Sequence, residues 1–414
     1  MQLGDIANAD AITYGKPLDG IRVLALEQMQ ALPFATQLLG RLGAEVVKVE
    51  APGSGDLGRG SLPAMTDPEG RNVGATFLRN NLSKRSICVN LKHPRGRELI
   101  LALAPRFDVV AENSKAGAMA RLGLGYDDIA AVHPRGIYLS VSGFGNVGGS
   151  PYQSWPAFAP VVEAMSGIYE MKRVGDDPPA VAPVGALGDI GAALFATIGV
   201  LAALRHRDRT GEGQRVDIAM LDAVVAMTDI VTNFWSMGLR GGDLGPLIMH
   251  GFRASDGWFI LQVGREQQFA KLVELIGCPE WVDDERFATR QGWLDHLEAV
   301  LRPAIEAWAS SRTKVEACES MGAAGIAAGP CFSDEEVVVD PHLAARDMLV
   351  EQPRTDGVAQ PVLTPGNPVK LSKMAEGPES RVPWLGEHTD VVLRAELALD
   401  DDELASLRAD GAIA

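Results

Sequence analysis

The sequence predicts an α/β protein with a large Rossmann-like domain, built on a mostly parallel sheet, and a smaller α+β domain. Between about residues 20 and 145, short runs of Val, Ile and Leu alternate with amphipathic segments. This alternation is typical of buried parallel strands joined by helices. From about residue 250 to 330 the pattern changes to a pair of strands followed by several amphipathic helices. The change predicts a second, smaller unit inserted into the chain.

Five apolar runs in the first half predict buried strands, in the order GIRVLAL, AEVVKVEA, KRSICVNL, DVVAEN and GIYLSVSGFG. The segments between them predict helices in PFATQLLGRLG, in GYDDIAAVH and in HPRGRELILALAPRF, where a proline fits the first turn. Residues 189–207 are apolar nearly all round, which predicts a helix buried in the core. A strand in RTGEGQRVDIAM and a helix from Leu221 to about Met237 follow, and then the Gly-rich bend LRGGDLGP.

The later residues complete the two domains. FRASDGWFILQVG predicts a hairpin, and helices of the smaller domain are predicted in REQQFAKLVELIG, WLDHLEAVLRPAIEAWA and TKVEACESMGAAG. The last stretch contains the extended, Pro-rich segment QPVLTPGNPVKL and the acidic helix DDDELASLRAD. We therefore place the first part of the large domain in residues 1–225, the small domain in residues 248–335, and a segment returning to the large domain in residues 345–414.

The charge and the cysteines exclude several classes of function. The chain has 38 Lys and Arg against 54 Asp and Glu, a net charge of −16, which repels nucleic acids and anionic membranes. Its four cysteines lie far apart, with no C-x-x-C pair, so neither a zinc site nor a disulfide framework is expected. The first residues lack a signal-peptide pattern, and the longest apolar stretch, residues 191–204, is too short to cross a bilayer. We expect a cytoplasmic protein without a metal, a nucleic-acid partner or a membrane contact.

The turn after the first predicted strand indicates where a site lies and what it does not bind. A dinucleotide enzyme has G-x-G-x-x-G at this turn, but the sequence is LEQMQALP, without any glycine. In open α/β sheets the site lies at the carboxyl ends of the strands. This places Gln28, Gln30 and Ala31 at its mouth, where backbone amides at a helix start can hold an anion or an oxyanion.

Asp189, in the segment GALGDIGAALFATIG, is the most suggestive carboxylate of the chain. One interpretation is a helix N-cap, for which Asp is among the preferred residues. The other is a nucleophile, because a helix dipole holds a carboxylate ionised and the small neighbours Gly188, Gly191 and Ala192 leave room for an electrophile. These residues by themselves leave both interpretations open.

Basic residues near the predicted strand ends are the second signal. Any one of them can be an ordinary surface charge, but together they can form an anion-binding patch in an acidic protein; they are Lys84, Arg85, Lys115, Arg121 and Arg135. SGFG, at residues 142–145, is either a turn or a loop that lets a ligand approach the backbone closely. No histidine stands at a spacing typical of a metal site or a Ser/His/Asp triad. The reaction class stays open on these features alone.

Eight colinear segments give the chain a resemblance to a known family. They are PLDGIRVLALEQMQALPFATQLLGRLGAEVVKVEAPGSGD, NLSKRSICVNLKHPRGRELI, AENSKAGAMARLGLGYDDI, SVSGFGNVGGSPY, VEAMSG, GALGDIGAALFATIGVLAALRHRDRTGEGQRVDIAMLDA, DPHLAARDMLVE and LGEHTDVVL. Over nearly its whole length the sequence resembles the family III CoA-transferases, the group of formyl-CoA transferase and crotonobetainyl-CoA:carnitine CoA-transferase. The resemblance is specific for the superfamily and far less so for the substrate.

The resemblance implies roles for individual residues. The family's nucleophilic aspartate falls on Asp189, and its front-loop glutamine, which holds the acyl group or CoA, falls on Gln30. Ala31, Lys84, Arg85 and Lys115 are expected to contact CoA by this resemblance, and Arg121 of the basic patch and Gly143 of the SGFG loop are expected to do so with them.

Three departures from the family pattern stand out. Lys115 lies in NSKAG, which lacks the aromatic residue and the proline of the family motif. Ala51 stands where formyl-CoA transferase has an arginine that contacts CoA. The glycine-rich flap of formyl-CoA transferase has no counterpart around residues 233–257, which argues against formyl or oxalate substrates.

The implied activity is acyl-CoA:carboxylate CoA-transferase, with CoA moved through an aspartyl–acyl anhydride and an aspartyl–CoA thioester. CoA is then a substrate, and no tightly bound cofactor or metal is needed. The resemblance also implies an interlocked homodimer, for which extended linkers near residues 237–247 and 353–370 supply the reach. The acyl pocket is expected in residues 143–160. His250 and Arg253 are candidates for holding a second carboxylate, which favours a short dicarboxylate such as succinate.

Two alternatives come with the resemblance. The α-methylacyl-CoA racemases of the same superfamily pair the aspartate with a histidine, but here Phe158 stands at the histidine and Ala159 at the residue after it. Proton abstraction on two faces needs two acid/base groups, so the racemase interpretation lacks one of them. The other alternative is a non-catalytic CoA-binding scaffold, against which the presence of both Asp189 and Gln30 argues.

Overall fold

The structure, a computed structural model, describes residues 1–171, 176–181, 185–238 and 245–414. The chain divides into two compact units, Met1–Leu239 with Ala344–Ala414, and Arg240–Leu343. Most of the predicted bend LRGGDLGP, and with it the expected linker at residues 237–247, lies outside the described residues.

Thirteen strands form within the described residues, and we number them in chain order. They are β1 Arg22–Leu26, β2 Glu45–Glu50, β3 Ala64–Thr66, β4 Asn72–Gly74, β5 Arg85–Cys88, β6 Val109–Glu112, β7 Ile137–Ser142, β8 Gln214–Ala219, β9 Ile248–Arg253, β10 Trp258–Val263, β11 Ala327–Pro330, β12 Leu349–Gln352 and β13 Val362–Pro365.

The α-helices of the described residues are numbered in the same way. They are α1 Ala31–Arg41, α2 Ala75–Asn80, α3 Pro94–Leu103, α4 Ala118–Arg121, α5 Tyr126–Val132, α6 Ala159–Met165, α7 Ile168–Met171, α8 Leu187–Thr210, α9 Met220–Ala226, α10 Glu266–Leu275, α11 Arg290–Asp295, α12 Arg302–Ala309, α13 Lys314–Ala323, α14 Asp334–Val338, α15 Pro341–Ala345, α16 Thr389–Leu397 and α17 Asp401–Ala409.

A six-stranded parallel sheet organises the larger unit, and its strand order is β5-β2-β1-β6-β7-β8. Counted among these six strands alone, the order is 3-2-1-4-5-6, as in doubly wound dinucleotide-binding folds. The α/β prediction with a central parallel sheet is therefore confirmed, and small antiparallel sheets accompany it. The strand order reverses between β1 and β6, and ligands of such sheets bind at this switch point.

Both faces of the sheet are covered, which explains why its strands are continuous apolar runs rather than alternating ones. On one face Val23 and Leu139 pack with residues of α1, α8 and α9 such as Leu32 and Val200. On the other face Leu24, Ile87 and Val110 pack with residues of α3, α5, α16 and α17, among them Ile100, Ile129, Leu393 and Leu404. The C-terminal helices thus belong to the larger unit.

The helix α8 differs from its prediction in length and in burial. It runs for 24 residues and is long and apolar enough to cross a membrane, although half of its most apolar stretch is buried inside the protein. The expectation of burial on all sides is wrong for this single chain, because Leu194, Ile198 and Leu201 are 44%, 60% and 36% exposed. These residues recur at helical spacing and form one apolar stripe, which we call the α8 stripe.

Two other predicted helices are interrupted. The helix expected over residues 221–237 ends as α9 at Ala226, and a π-helical segment, Ile230–Phe234, follows after a break. The helix expected in WLDHLEAVLRPAIEAWA is divided into α11, a π-helical turn at Leu297–Leu301, and α12. Pro303 in the first turn of α12 explains the second division, because proline cannot donate the hydrogen bond of a continuing helix.

The smaller unit contains the predicted hairpin, in which β9 and β10 pair antiparallel. The strand β11 pairs antiparallel with the other edge of β10. Its helices cover one face of this sheet with an aromatic core, where Phe269 stacks on Trp293 at 4.5 Å between ring centroids. In the larger unit, part of the Pro-rich C-terminal segment forms β13, which pairs antiparallel with β12.

Candidate active site

The carboxyl ends of β1 and β6 are tied together at the switch point. The Gln28 backbone amide donates to Oδ1 of Asn113 at 2.9 Å, and Nδ2 of Asn113 donates to the Gln28 carbonyl at 2.8 Å. Asn113 follows the last residue of β6, and Gln28 lies in the turn that leads into α1. This reciprocal pair fixes the turn in which sequence analysis placed Gln28, Gln30 and Ala31.

The same turn contains an unusual backbone conformation. Met29 has φ of +63°, in the left-handed region that residues other than glycine rarely adopt. Its amide donates to Oδ1 of Asp56 at 2.8 Å, and Oδ2 of Asp56 lies 2.7 Å from Nζ of the buried Lys48. Burial opposes ionisation of Asp56, but Lys48 and backbone amides outweigh it and hold its pKa below the usual value. A buried ion pair therefore supports the strained turn.

Gln30 and Ala31 stand at the start of α1. Gln30 is the N-cap residue, and its side chain makes no capping hydrogen bond. Because the first amides of a helix lack intrahelical acceptors, the turn presents donors to the carboxyl edge of the sheet. Met29 and Ala31 line a cavity of about 200 Å³ there, whereas Gln30 is not among its lining residues.

Asp189 lines the same cavity, and it is the third residue of α8. The N-cap interpretation is wrong, because the cap position belongs to Ala186. The helix dipole predicts an easily ionised carboxylate, but burial and the carboxylate of Glu163 raise the pKa of Asp189 to about 6. Desolvation thus outweighs the dipole, and the result is a carboxylate of unusually high basicity.

Glu163 was missed by sequence analysis. It lies on α6, is 3% exposed, and its Oε1 accepts the Gly188 amide at 3.0 Å. Its other carboxylate oxygen accepts the Tyr169 hydroxyl. The sequence contained a signal for it, because Glu163 is the acidic residue in the otherwise apolar segment VEAMSG.

We call this space the Asp189 cavity. Its polar lining includes Asn113, Lys115, Ser142 and Gln153, and its apolar wall includes Phe144, Trp155 and Phe158. Asp189 is the one carboxylate among the described residues that line it. Gly143 also lines it, and a Cβ at this position would lie 2.2 Å from Cβ of Ala157, so only glycine fits.

A second cavity of about 460 Å³ lies at the carboxyl ends of β1, β2, β5 and β6, and it shares Gln28 and Ser114 with the Asp189 cavity. Ala51 lines it, which is the position where an arginine was expected from the family pattern. Lys92 is the one basic residue among its described lining residues, and we call it the Lys92 cavity. Sequence analysis missed Lys92, because its segment is typical of a turn before a helix.

Two of the basic residues expected to contact CoA do not fit that role. Lys84 is buried, and its ammonium donates to Oε1 of Glu27 and to Oγ1 of Thr36, both at 2.7 Å. Arg85 is the first residue of β5 and pairs with Glu45, the first residue of β2, at 2.8 Å. It therefore lies at the amino edge of the sheet, opposite the two cavities. The prediction that Lys84 and Arg85 contact CoA is therefore wrong, and both residues have structural roles.

The remaining candidates are distributed over both units. Lys115 lines the Asp189 cavity, whereas Arg121 ends α4 and lines neither cavity, although its neighbour Leu122 lines the Lys92 cavity. His250 and Arg253 lie on β9 of the smaller unit, where both are exposed and the Arg253 guanidinium lies 5.7 Å from the ring of Trp258. Among the described residues, no cluster of His, Cys, Asp and Glu could hold a metal ion.

Comparison with known proteins supplies the class. The family model described as CoA-transferase family III matches residues 18–389. The formyl-CoA:oxalate CoA-transferase of Streptomyces avermitilis is 36% identical over 96% of this chain and 100% of its own length. The succinyl-CoA–D-citramalate CoA-transferase of Chloroflexus aurantiacus is 35% identical over 95% and 97% of the two chains. The crystal structure of a CAIB/BAIF family protein from Brucella suis matches with a TM-score of 0.80 and 34% identity, over 92% of this chain and all of the other.

The chain has an α/β fold, and the family match and the relatives show that it is an acyl-CoA:carboxylate CoA-transferase. More particularly, the chain belongs to CoA-transferase family III. The expected family and activity are thereby confirmed.

Proposed function

We propose that Asp189 is the nucleophile of CoA transfer. One observation carries this: Asp189 is the one carboxylate among the described residues of its cavity, and it is partly desolvated at the switch point of the sheet. A carboxylate nucleophile divides the exchange between a thioester and a weakly nucleophilic acid into easier steps. Desolvation keeps this carboxylate more basic than usual, which favours attack.

The steps balance without an oxidant or a metal. The Asp189 carboxylate attacks the thioester carbonyl, the C–S bond breaks, and an acyl–aspartyl anhydride and CoA thiolate form. The thiolate then attacks the aspartyl carbonyl of the anhydride, which releases the first carboxylic acid as its anion and leaves an aspartyl–CoA thioester. The acceptor carboxylate attacks the aspartyl carbonyl of that thioester, the C–S bond breaks, and a second acyl–aspartyl anhydride and CoA thiolate form. The thiolate then attacks the acyl carbonyl of the acceptor, which gives the new acyl-CoA and releases the Asp189 carboxylate.

The two cavities suggest how an acyl-CoA lies. We place its anionic nucleotide end in the Lys92 cavity and its thioester in the Asp189 cavity, with Lys115 near the join. The thioester oxygen faces the first-turn amides of α1 at Ala31, which are donors suited to a developing oxyanion. Gln30 caps the same turn, and the role that the resemblance implies for it, holding the acyl group or CoA, stays a prediction. Gly143 lines the Asp189 cavity and stays a candidate for close approach of the acyl-CoA to the backbone.

The substrate proposed for one side of the exchange is a short dicarboxylate such as succinate. The name of the relative from Chloroflexus contains succinyl-CoA, the thioester of a dicarboxylic acid, and citramalate, which is a dicarboxylate. Arginine is suited to bidentate carboxylate binding, so Arg253, with His250, remains the candidate for the second carboxylate. A panel of acceptor acids with succinyl-CoA tests this, and an Arg253→Ala variant that keeps full dicarboxylate use would contradict the role of Arg253.

We also propose a homodimer, interlocked as the family resemblance implies, and a cytoplasmic location. The α8 stripe supports the dimer, since contiguous exposed apolar residues mark interaction sites more often than isolated ones do. The racemase alternative is less well supported, because Phe158 lines the Asp189 cavity where a second acid/base group would be needed.

Trapping tests the nucleophile. With acyl-CoA and hydroxylamine, peptide mass mapping should find Asp189 converted to a hydroxamate, and Asp189→Asn should lose CoA transfer by at least about a thousandfold. Asp208→Asn, an exposed aspartate on the same helix, is the matched control and should retain activity. Unmodified Asp189 together with an active Asp189→Asn variant would identify another nucleophile. An unsubstituted protein without any transfer would support the scaffold alternative.

A further inference from the structure

Glu163 is a buried carboxylate that the steps above do not use. Both of its oxygens accept hydrogen bonds, one from the Gly188 amide and the other from the Tyr169 hydroxyl. The residue that it holds through the backbone directly precedes Asp189 in the chain. A buried carboxylate is costly unless it is well satisfied, so its place beside a second carboxylate calls for an explanation.

The geometry fixes the first turn of α8. The first amides of a helix lack intrahelical acceptors, and the cap residue Ala186 has no side-chain acceptor to offer. Glu163 provides one from α6. The two helices approach closely here, because a Cβ at Gly188 would lie 2.7 Å from Cγ2 of Val162 and 3.1 Å from Cα of Ala159. Glu163 therefore replaces the missing cap and sets the position of the turn that carries Asp189.

The charge of Glu163 acts on the same residue. Charged groups on the other elements packed against α8 are Arg41 of α1, Arg215 and Asp217 of β8, and Asp222 of α9, and Lys115 lines the same cavity as Asp189. Arg41, the last residue of α1, forms an ion pair with Glu379. Asp217 accepts hydrogen bonds from the backbone amides of Asn146 and Val147. Among the described residues, Glu163 is the charged group that opposes ionisation of Asp189.

We propose that Glu163 is a positioning residue for Asp189, which holds the first turn of α8 through the Gly188 amide and makes the Asp189 carboxylate a stronger base and nucleophile through its own charge. This inference rests on the proposed role of Asp189. It adds an activating carboxylate to the site, and Tyr169 anchors that carboxylate on its far side.

Two variants separate the charge from the anchoring. Glu163→Gln removes the charge and keeps an oxygen for the Gly188 amide, and Tyr169→Phe removes one hydrogen bond and keeps the charge. The measurement is the pH dependence of kcat/KM with one acyl-CoA, whose acid limb reports groups of the free enzyme. Because Asp189 is proposed to attack as the anion, activity should fall as the pH drops below the pKa of Asp189, which burial and Glu163 raise to about 6.

The expected result is a shift of this limb in one variant alone. In Glu163→Gln the midpoint should move to lower pH by roughly half a unit to one unit, and kcat/KM on the plateau should fall a few-fold because a less basic carboxylate attacks more slowly. In Tyr169→Phe the midpoint of the acid limb should stay within about 0.2 pH units of that of the unsubstituted enzyme, even if kcat/KM on the plateau falls.

Two outcomes would overturn the inference. One is an unchanged midpoint in Glu163→Gln, and the other is an equal shift in both variants, which would show that packing rather than charge matters. Failure of the proposed function is a different result, since Asp189→Asn would then stay active. Circular dichroism and the hydroxylamine-trapped fraction of each variant confirm that the protein compared is folded and competent.

Discussion

At the scale of residues, Lys92 gives the sharpest test of where CoA lies. Lys92→Ala should raise KM for acyl-CoA by about tenfold and leave kcat nearly unchanged, because the contact is made equally before and during the reaction. Steady-state kinetics with varied acyl-CoA measures both constants. Arg85→Ala is the matched control, since its guanidinium pairs with Glu45 at the other edge of the sheet. If Arg85→Ala raised KM more than Lys92→Ala did, the nucleotide end of acyl-CoA would not lie in the Lys92 cavity.

The basic residues also show what sequence can and cannot predict at this scale. The switch-point rule placed the turn with Gln30 at the carboxyl edge, and the family motif pointed to Asp189, which lines the cavity there; their roles stay predictions. Lys84 and Arg85 were assigned to CoA by the family resemblance, although they open the predicted strand KRSICVNL and so lie at its amino end, away from the carboxyl edge of the sheet. Glu163 had a local signal as an acidic residue in an apolar helical segment, but its contact with Gly188 and the position of Lys92 depend on packing between distant segments.

At the scale of elements, the turn between β1 and α1 depends on the buried pair of Asp56 and Lys48. Asp56→Asn keeps an acceptor for the Met29 amide but removes the partner charge of Lys48, so we expect the free energy of unfolding to fall by about 3 kcal/mol. The pKa of Asp56 is lowered in the folded protein, so its contribution is present at neutral pH and is lost as the pH falls through that value.

Urea unfolding at pH 7 measures this loss. Asp410→Asn, which removes an exposed ion pair with Arg95 in the same unit, is the control and should change stability little. Equal stability of Asp56→Asn and the unsubstituted protein would mean that Glu27 alone satisfies Lys48.

Elements were predictable where one physical rule dominated. The buried strands of the parallel sheet followed from apolar runs, and α1, α3 and α5 followed from amphipathic spacing. The interruptions were not predicted, because Pro303 is compatible with either a first turn or a break. The exposure of α8 was also missed, since an apolar sequence does not show how much of a helix the rest of the chain covers.

At the scale of the whole molecule, the α8 stripe predicts the oligomeric state. Ile198→Glu places a charge in its centre and should convert a dimer to a monomer or weaken it by at least tenfold, because burying an unpaired charge is costly. Sedimentation at low micromolar concentration measures this. Val391→Glu, an exposed apolar residue on α16, is the control, and a monomeric unsubstituted protein would contradict the dimer itself.

The covering of the sheet by residues from the two ends of the larger unit has a consequence for biosynthesis. Leu24, Ile87 and Val110 are in place early, but Leu393 and Leu404, which cover them, are translated only after the whole smaller unit. On the ribosome, the nascent chain therefore carries one apolar sheet face that α3 and α5 cover only in part until α16 and α17 are made. The smaller unit can complete its own core in that interval, whereas the larger one waits for its last helices. A chain arrested before Thr389 should consequently depend on chaperones that shield apolar surface.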